Sequence, residues 1–252
     1  MIFPKKHIIS LGVSIIGFNE LLNEVIQMGK NHQKGYACFA NSHMTIEAHE
    51  DKGFQQIVNS SVYTLADGVP LQKAVKLMHG INQERIAGMD FMPAILKKAE
   101  AEKVTVYLYG STPEILQAIQ KRISTELPCL IVGGVFSPPF RQLSETEIRQ
   151  DIDRINSSGA GIVLVALGCP KQEKWMAENS SKINAILLGV GAAFPIFAQT
   201  QRMAPAWMRK NGLEWFYRFM QEPRRLFKRY LSTNFYFSIL IIRQWVRIKY
   251  LG

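Results

Sequence analysis

Six short apolar runs recur along this chain, and a segment with helical periodicity separates each run from the next. The runs are continuously apolar rather than alternating, which is typical of strands covered by helices on both faces. Strands that alternate with helices predict an α/β fold with a largely parallel, doubly wound, Rossmann-like sheet. The predicted strands are residues 36–40, 62–66, 105–109, 129–133, 162–167 and 185–189.

The segments between these runs carry helix-start signals. Residues 113–126 place apolar side chains on one face, with Thr112 as a candidate N-cap and Pro113 at the first helical position. Ser144 and Glu147 have the spacing of a capping box. Because ligands of open parallel sheets bind beyond the carboxyl ends of the strands, we expect the functional side chains directly after each strand.

The C-terminal part of the chain differs from the rest, because basic and aromatic side chains alternate there. We expect an α/β body over residues 1–197 and a helical C-terminal appendage over residues 198–252. Gly212 and Pro223 interrupt the appendage, which predicts about three short helices.

Charge and hydropathy indicate which partners the appendage suits. The formal net charge of +10 is compatible with nucleic acid, anionic lipid or phosphorylated small molecules. Residues 235–242 are apolar, but a membrane span needs about 20 such residues, so this run is too short to cross. A nucleic-acid surface gains nothing from an aliphatic run, which favours association with a membrane surface. A stacking surface for nucleic acid and simple packing on the body remain alternatives.

Two polar side chains directly follow predicted strands at the ligand-binding edge. Asp67 lies after the second strand and before Gly68. Desolvation in a partly dry cleft raises the pKa of a carboxylate, which suits general-base catalysis. The alternative for Asp67 is an Asx turn that closes the strand. Asn41 follows the first strand, where small polar residues allow a ligand to approach the backbone.

Two predicted helix starts at the same edge suit a phosphate group, because free backbone N–H groups at a helix N-terminus attract anions. The first comprises Gly110, Ser111 and Thr112, for which an ordinary capped helix is the favoured alternative. At the second, Lys171 is suited to neutralise a phosphate and Gln172 to hydrogen-bond a sugar or phosphate oxygen. A solvated first turn is the alternative there.

We predict no metal site. Asp151 and Asp153 match an Asp-x-Asp metal-binding pattern, but they fall in a polar helical segment, and a solvated helix face is the favoured interpretation. His43 and His49 are not spaced as a helical i, i+4 pair and lack a third ligand.

The three cysteines, Cys38, Cys129 and Cys169, have no metal-type spacing. Reduced, unpaired thiols are therefore expected. Cys38 and Cys129 lie in apolar runs and are predicted to be core residues.

Seven motifs occur in order along the chain: residues 66–68 (ADG), 85–90 (RIAGMD), 168–173 (GCPKQE), 189–191 (GVG), 204–208 (APAWM), 213–218 (LEWFYR) and 222–225 (EPRR). In this order they resemble the WecG/TagA/CpsF family of bacterial glycosyltransferases, glycosyltransferase family 26. The resemblance runs from about residue 35 to residue 230. Several linked motifs are far more specific than any one of them.

The resemblance implies an inverting, metal-independent glycosyltransferase that needs no cofactor. Such an enzyme moves a sugar from a UDP-sugar to a polyprenyl-diphosphate-linked sugar in bacterial surface polysaccharide synthesis. It implies a peripheral protein at the cytoplasmic face of the inner membrane. Donor sugars in the family are N-acetylmannosamine, its uronic acid and glucose. This chain has Phe39 where many N-acetylmannosaminyl transferases have threonine, so the donor sugar stays open.

The resemblance also implies roles for individual residues. Asp67 takes the position of the catalytic base, and Gln172 that of a cleft glutamine. Asn41 is kept, two residues after the changed position, Phe39. The diphosphate-binding arginines of the family's appendage are matched by Arg218, Arg225 and Arg229.

Two other classes of function compete with this interpretation. One is a non-catalytic protein that binds a nucleotide or nucleic acid through the same sheet edge and basic appendage. The other is an NAD-linked oxidoreductase, which is disfavoured because Gly189 and Gly191 lack the third glycine and the downstream acid of a dinucleotide fingerprint. The oligomeric state is open, and a homo-oligomer is compatible with the sequence.

Overall fold

The structure, a computed structural model, describes residues 3–221 and 223–250. The side chains of Ala206, Lys210, Arg218 and residues 223–232 lie outside what it describes. The strands within the described ranges are β1 (Lys5–Ile8), β2 (Leu11–Ser14), β3 (Gly35–Ala40), β4 (Tyr63–Ala66), β5 (Val106–Gly110), β6 (Val132–Phe136), β7 (Ile162–Ala166) and β8 (Ile186–Gly189).

Six strands form one sheet in the order β4-β3-β8-β7-β5-β6, and all of its pairs are parallel. The predicted parallel α/β fold is confirmed. Five of the six predicted strands begin and end within one residue of the observed bounds; β6 instead begins at Val132. An antiparallel hairpin of β1 and β2 precedes the sheet and was not predicted.

Helices cover both faces of the sheet, as expected for a doubly wound fold. They begin at the predicted caps: Thr112 Oγ1 accepts from Ile115 N, and Ser144 and Glu147 form a capping box. The helices are α1 (Phe18–Lys30), α2 (Ser42–Glu50), α3 (Lys52–Asn59), α4 (Val69–His79), α5 (Gly88–Ala101), α6 (Pro113–Glu126), α7 (Glu145–Ser157), α8 (Lys171–Asn179), α9 (Ala193–Phe197), α10 (Ala206–Lys210), α11 (Glu214–Gln221) and α12 (Pro223–Tyr250).

The sheet separates two hydrophobic cores. One core packs α1, α5, α6 and α9 on one face, and Phe91 and Phe194 are among its fully buried side chains. The other packs α2, α3, α4, α7, α8 and α12 with the hairpin on the opposite face. Because both faces are covered, the strand side chains are apolar without alternation, which is the pattern that marked them in the sequence.

Two predictions about individual side chains were wrong. Cys129 is exposed rather than in the core, because it lies in the loop before β6, whereas Cys38 is buried as predicted. Asp151 is only 3 % exposed rather than solvated. Its carboxylate accepts from Tyr109 Oη at 2.6 Å and pairs with Arg154 at 2.8 Å. Asp153, by contrast, is exposed, as predicted.

The described part of the C-terminal segment contains three helices, but the third is not short: α12 has 28 residues. Phe237, Leu240 and Ile241 are buried in the core that includes α2 and α4. Gln244 Oε1 accepts from the backbone N–H of Ile9 at 2.7 Å, in the loop between β1 and β2. Part of the predicted membrane-facing run therefore packs on the body.

Another face of α12 is exposed and apolar. Phe235, Ile239, Ile242 and Val246 are 69 %, 36 %, 60 % and 39 % exposed. Their spacing of three and four residues places them in one row, which we call the α12 stripe. In the described part of the chain, no helix is long and apolar enough to span a membrane.

We expect Phe237→Ala to lower the free energy of unfolding by about 2–4 kcal/mol, because it leaves a cavity between α12 and the body. Chemical denaturation measures the loss. Ser238→Ala, next to it on the exposed side of α12, is the control and should change stability by less than about 0.5 kcal/mol. A loss of similar size in both variants would show that Phe237 packing does not hold α12 on the body.

Candidate active site

A cavity of about 430 Å³ opens beyond the carboxyl ends of β4, β3, β8 and β7. Asp67, Asn41, Val190 and Gly168, each of which follows one of these strands, line it. This is a topological switch point of the sheet, because β4 lies on one side of β3 and the later strands lie on the other. Such a switch point is where open α/β sheets bind ligands.

Asn41 and Asp67 lie side by side because their strands are in register, with Ala40 opposite Ala66. Asn41 is the N-cap of α2, and its Oδ1 accepts from Met44 N at 3.2 Å. The backbone N–H of Asp67 donates to the Ala40 carbonyl at 2.9 Å. Asp67 is half-buried and lines the cavity, and this hydrogen bond fixes its backbone.

Gln172 and Glu173 form a buried polar wall in the first turn of α8. They are 3 % and 0 % exposed, and Gln172 Nε2 donates to Glu173 Oε1 at 2.9 Å. Burial raises the pKa of the Glu173 carboxyl, while hydrogen bonds from the backbone, Gln172 and Cys169 oppose that shift. The sequence pattern predicted Gln172 at the cleft, but it indicated no role for Glu173.

Gly189 makes room for Gln172. A Cβ at position 189 would lie 2.5 Å from Gln172 Nε2 and 2.6 Å from Met176 Cε. Gly191 also borders the Gln172 side chain. It has a φ of +50°, and a Cβ added at this position would lie 3.5 Å from Gln172 Oε1. The two glycines that resemble part of a dinucleotide fingerprint therefore both lie against Gln172.

Two arginines that are not among the predicted site residues, Arg85 and Arg209, line the same cavity. Arg85 pairs with Asp90 at 2.5 Å and with Glu214 at 3.1 Å, and Arg209 pairs with Asp90 at 2.6 Å. This network joins the body to α10 and α11. Arg85 and Asp90 belong to the motif at residues 85–90. Their ion-pair partners, Glu214 and Arg209, lie more than 100 residues further along the chain, so the sequence pattern does not indicate these pairs.

The segment before α5 is held so that Arg85 reaches the cavity. Ile86 N donates to the Ala66 carbonyl at 2.9 Å, which extends the edge of the sheet beside β4. Gln83, 5 % exposed, bonds both the N–H and the carbonyl of Ile16. The position of Arg85 is therefore fixed by backbone contacts on both sides.

Other predicted site residues do not line the cavity. Gly110, Ser111 and Thr112 lie beyond β5, on the far side of β7, and Ser111 N donates to the Ala166 carbonyl at 2.7 Å. Lys171 is exposed at the start of α8. The remaining predictions concern side chains outside the described part of the structure: Arg218, Arg225 and Arg229.

The site's polar residues do not form a metal-binding group. Within residues 3–221 and 223–250, no three His, Cys, Asp or Glu side chains are grouped so that they could hold a metal ion. Both carboxylate oxygens of Asp151 are engaged, by Tyr109 and Arg154, on the sheet face opposite α5.

This fold and cleft place the chain among α/β proteins that bind a ligand at the carboxyl edge of a parallel sheet. Its sequence matches the WecG/TagA/CpsF glycosyl transferase family over residues 6–250. The chain belongs to this family and is a glycosyltransferase, which confirms the resemblance. A curated relative from Bacillus subtilis (strain 168), an N-acetylglucosaminyldiphosphoundecaprenol N-acetyl-beta-D-mannosaminyltransferase, is 32 % identical over 197 residues, covering 78 % of this chain and 75 % of that protein.

Proposed function

We propose that this glycosyltransferase moves N-acetylmannosamine or a related hexose from a UDP-sugar to a polyprenyl-diphosphate-linked N-acetylglucosamine, with inversion at the anomeric carbon. The name of the Bacillus subtilis relative supports the acceptor and the type of sugar. The observation that carries the proposal is the cavity itself. It brings the Asp67 carboxylate together with two arginines, Arg85 and Arg209, at the switch edge of the sheet.

Asp67 is the general base in this mechanism. It accepts the proton of the acceptor hydroxyl as that oxygen attacks the anomeric carbon from the face opposite the leaving group. The new bond joins the acceptor oxygen to the anomeric carbon, and the bond from that carbon to the diphosphate breaks. UDP leaves with the bonding electrons. Arg85 and Arg209 stabilise the negative charge that develops on the diphosphate.

A donor screen tests this function. UDP-N-acetylmannosamine, UDP-N-acetylmannosaminuronic acid, UDP-glucose and UDP-N-acetylglucosamine are each offered with a short-chain lipid-diphosphate-N-acetylglucosamine acceptor. We expect one of the first three to give a disaccharide whose anomeric configuration, read by NMR, is opposite to that of the donor. Retained configuration would contradict inversion. Absence of product with all four donors, together with binding of a single-stranded oligonucleotide, would favour the non-catalytic alternative.

Metal independence is a second expected result. Transfer should stay within about twofold of its untreated rate in EDTA, because the two arginines can stabilise the leaving diphosphate without a cation. The initial rate is measured before and after chelation, with added Mg²⁺ or Mn²⁺ as the comparison. A rate that falls to background in EDTA and returns with either ion would overturn metal independence.

The C-terminal segment, residues 198–252, serves as a membrane-associating appendage of the catalytic body formed by residues 1–197. Support comes from the α12 stripe, which is apolar and exposed, and from the exposed basic residues Arg243, Arg247 and Lys249 in the same part of α12. An amphipathic helix of this type lies in the interface of an anionic bilayer. The protein then meets its lipid-linked acceptor as a peripheral protein at the cytoplasmic face of the inner membrane.

A further inference from the structure

Asp90 joins the two arginines of the cavity. Its Oδ2 accepts from Arg85 at 2.5 Å, and its Oδ1 accepts from Arg209 at 2.6 Å. Arg85 and Arg209 line the cavity, whereas Asp90 is not among the described lining residues. The carboxylate therefore lies behind the pair, and each of its oxygens fixes one guanidinium.

This arrangement sets two positive charges next to each other. Two guanidinium groups repel at short range, and a carboxylate between them offsets that repulsion. A guanidinium has five N–H donors, and Asp90 uses few of them. Arg209 Nε is buried and has no hydrogen-bond partner among the described residues. The pair thus keeps donors for an anion that bridges both arginines.

We propose that Arg209 and Arg85 together form a diphosphate-binding pair, and that Asp90 is the positioning residue that sets its geometry. The inference rests on the proposed sugar transfer, which places a diphosphate in this cavity. Two sources carry the same group, the UDP part of the donor and the lipid diphosphate of the acceptor. Arginine suits either one, because its planar fork can bind two phosphate oxygens at once.

The direction in which Asp90→Asn changes anion binding distinguishes a positioning role for Asp90 from a purely electrostatic one. Asp90→Asn removes a negative charge near the anion site. If Asp90 were only a neighbouring charge, its removal would strengthen anion binding. If it holds the two arginines together, its removal weakens binding. Each carboxylate oxygen accepts from one arginine, and the amide NH2 that replaces one of these oxygens cannot accept. Glu214→Gln is the matched control, since it removes the same charge from a group that pairs with Arg85, whereas Asp90 pairs with both arginines.

The experiment measures UDP and UMP binding by calorimetry in the full-length protein. We expect Asp90→Asn to raise the Kd for UDP about tenfold and the Kd for UMP by less, because UMP lacks the second phosphate. Arg209→Lys should do the same, since lysine keeps the charge but not the fork. Glu214→Gln should bind UDP at least as tightly as wild type. Arg149→Ala, an exposed arginine on α7, should change neither constant.

The KM for the short-chain acceptor is measured in the same variants. A raised KM with an unchanged Kd for UDP also supports the pair and assigns it to the lipid diphosphate. Tighter UDP binding by Asp90→Asn, an equal loss in Glu214→Gln, or no change in either constant would overturn the inference. If Asp90→Asn lowered the melting temperature and Arg209→Lys did not, the Kd for UDP of Arg209→Lys would test the pair. Wild-type protein that bound no UDP and used no acceptor would overturn the proposed function itself.

Discussion

Replacing Asp67 with asparagine should lower kcat for sugar transfer by about 100-fold or more, which is the usual scale for losing a general base. Asparagine has nearly the same shape but cannot take the proton of the acceptor hydroxyl. The backbone bond from Asp67 N to the Ala40 carbonyl does not depend on the side chain, so the strand end should be preserved. Initial rates with saturating donor and acceptor measure the effect.

The Asp67→Asn result is informative only if binding survives. The Kd for UDP should change by less than about threefold, since the arginines rather than Asp67 meet the diphosphate. Asp153→Asn, at an exposed carboxylate on α7, is the control and should keep wild-type turnover. Near-normal kcat in Asp67→Asn with the acceptor saturating would remove Asp67 from the base role.

The sequence predicted the sheet well because burial on both faces leaves a strong pattern. It failed at β6, an edge strand whose residues are half-buried and include Gly133 and Gly134, so the apolar run marked the loop before it. It also missed the hairpin, because β1 contains Lys5, Lys6 and His7 and lacks a continuous apolar run. β4, the other edge strand, is fully buried and was predicted, so the error at β6 follows from its partial exposure rather than from its place at the edge.

Part of the candidate site could be predicted by the same reasoning. Asn41 and Asp67 directly follow buried strands, Gln172 lies in the first turn of the helix after β7, and the structure brings all three to one cavity. The expectation that site residues follow the strands also selected Thr112 and Lys171, but these two residues do not line the cavity. A strand end predicts the correct edge of the sheet, but only the strand order decides which ends are neighbours.

The ion pairs and hydrogen bonds of the buried charged residues could not be predicted from the sequence. Asp151 was expected in solvent, yet Tyr109, 42 residues away on β5, supplies a hydrogen bond that makes its burial tolerable. Arg85 and Glu214 are separated by 129 residues, and Arg209 and Asp90 by 119. Such partners share no periodicity, so their contacts follow from the tertiary fold alone.

Substituting Ile239 and Ile242 together with aspartate should weaken binding to anionic lipid vesicles about 100-fold. Each isoleucine on the α12 stripe contributes about 1.5–3 kcal/mol if its side chain is buried in the interface. Two carboxylates would also be repelled by anionic head groups. Both side chains are exposed in the structure, whereas Phe237, Leu240 and Ile241 hold the helix on the body. The fold should therefore be retained.

Vesicle co-sedimentation measures the binding, and transfer to a short-chain soluble acceptor measures the chemistry. Transfer should persist in the double variant, because the stripe contacts lipid rather than the diphosphate. The matched control is Val62→Asp with Ile131→Asp, which adds the same charge at exposed residues that precede β4 and β6, on the sheet edge opposite the cavity. Equal loss of vesicle binding in both double variants would show that total charge, not the α12 stripe, determines membrane association.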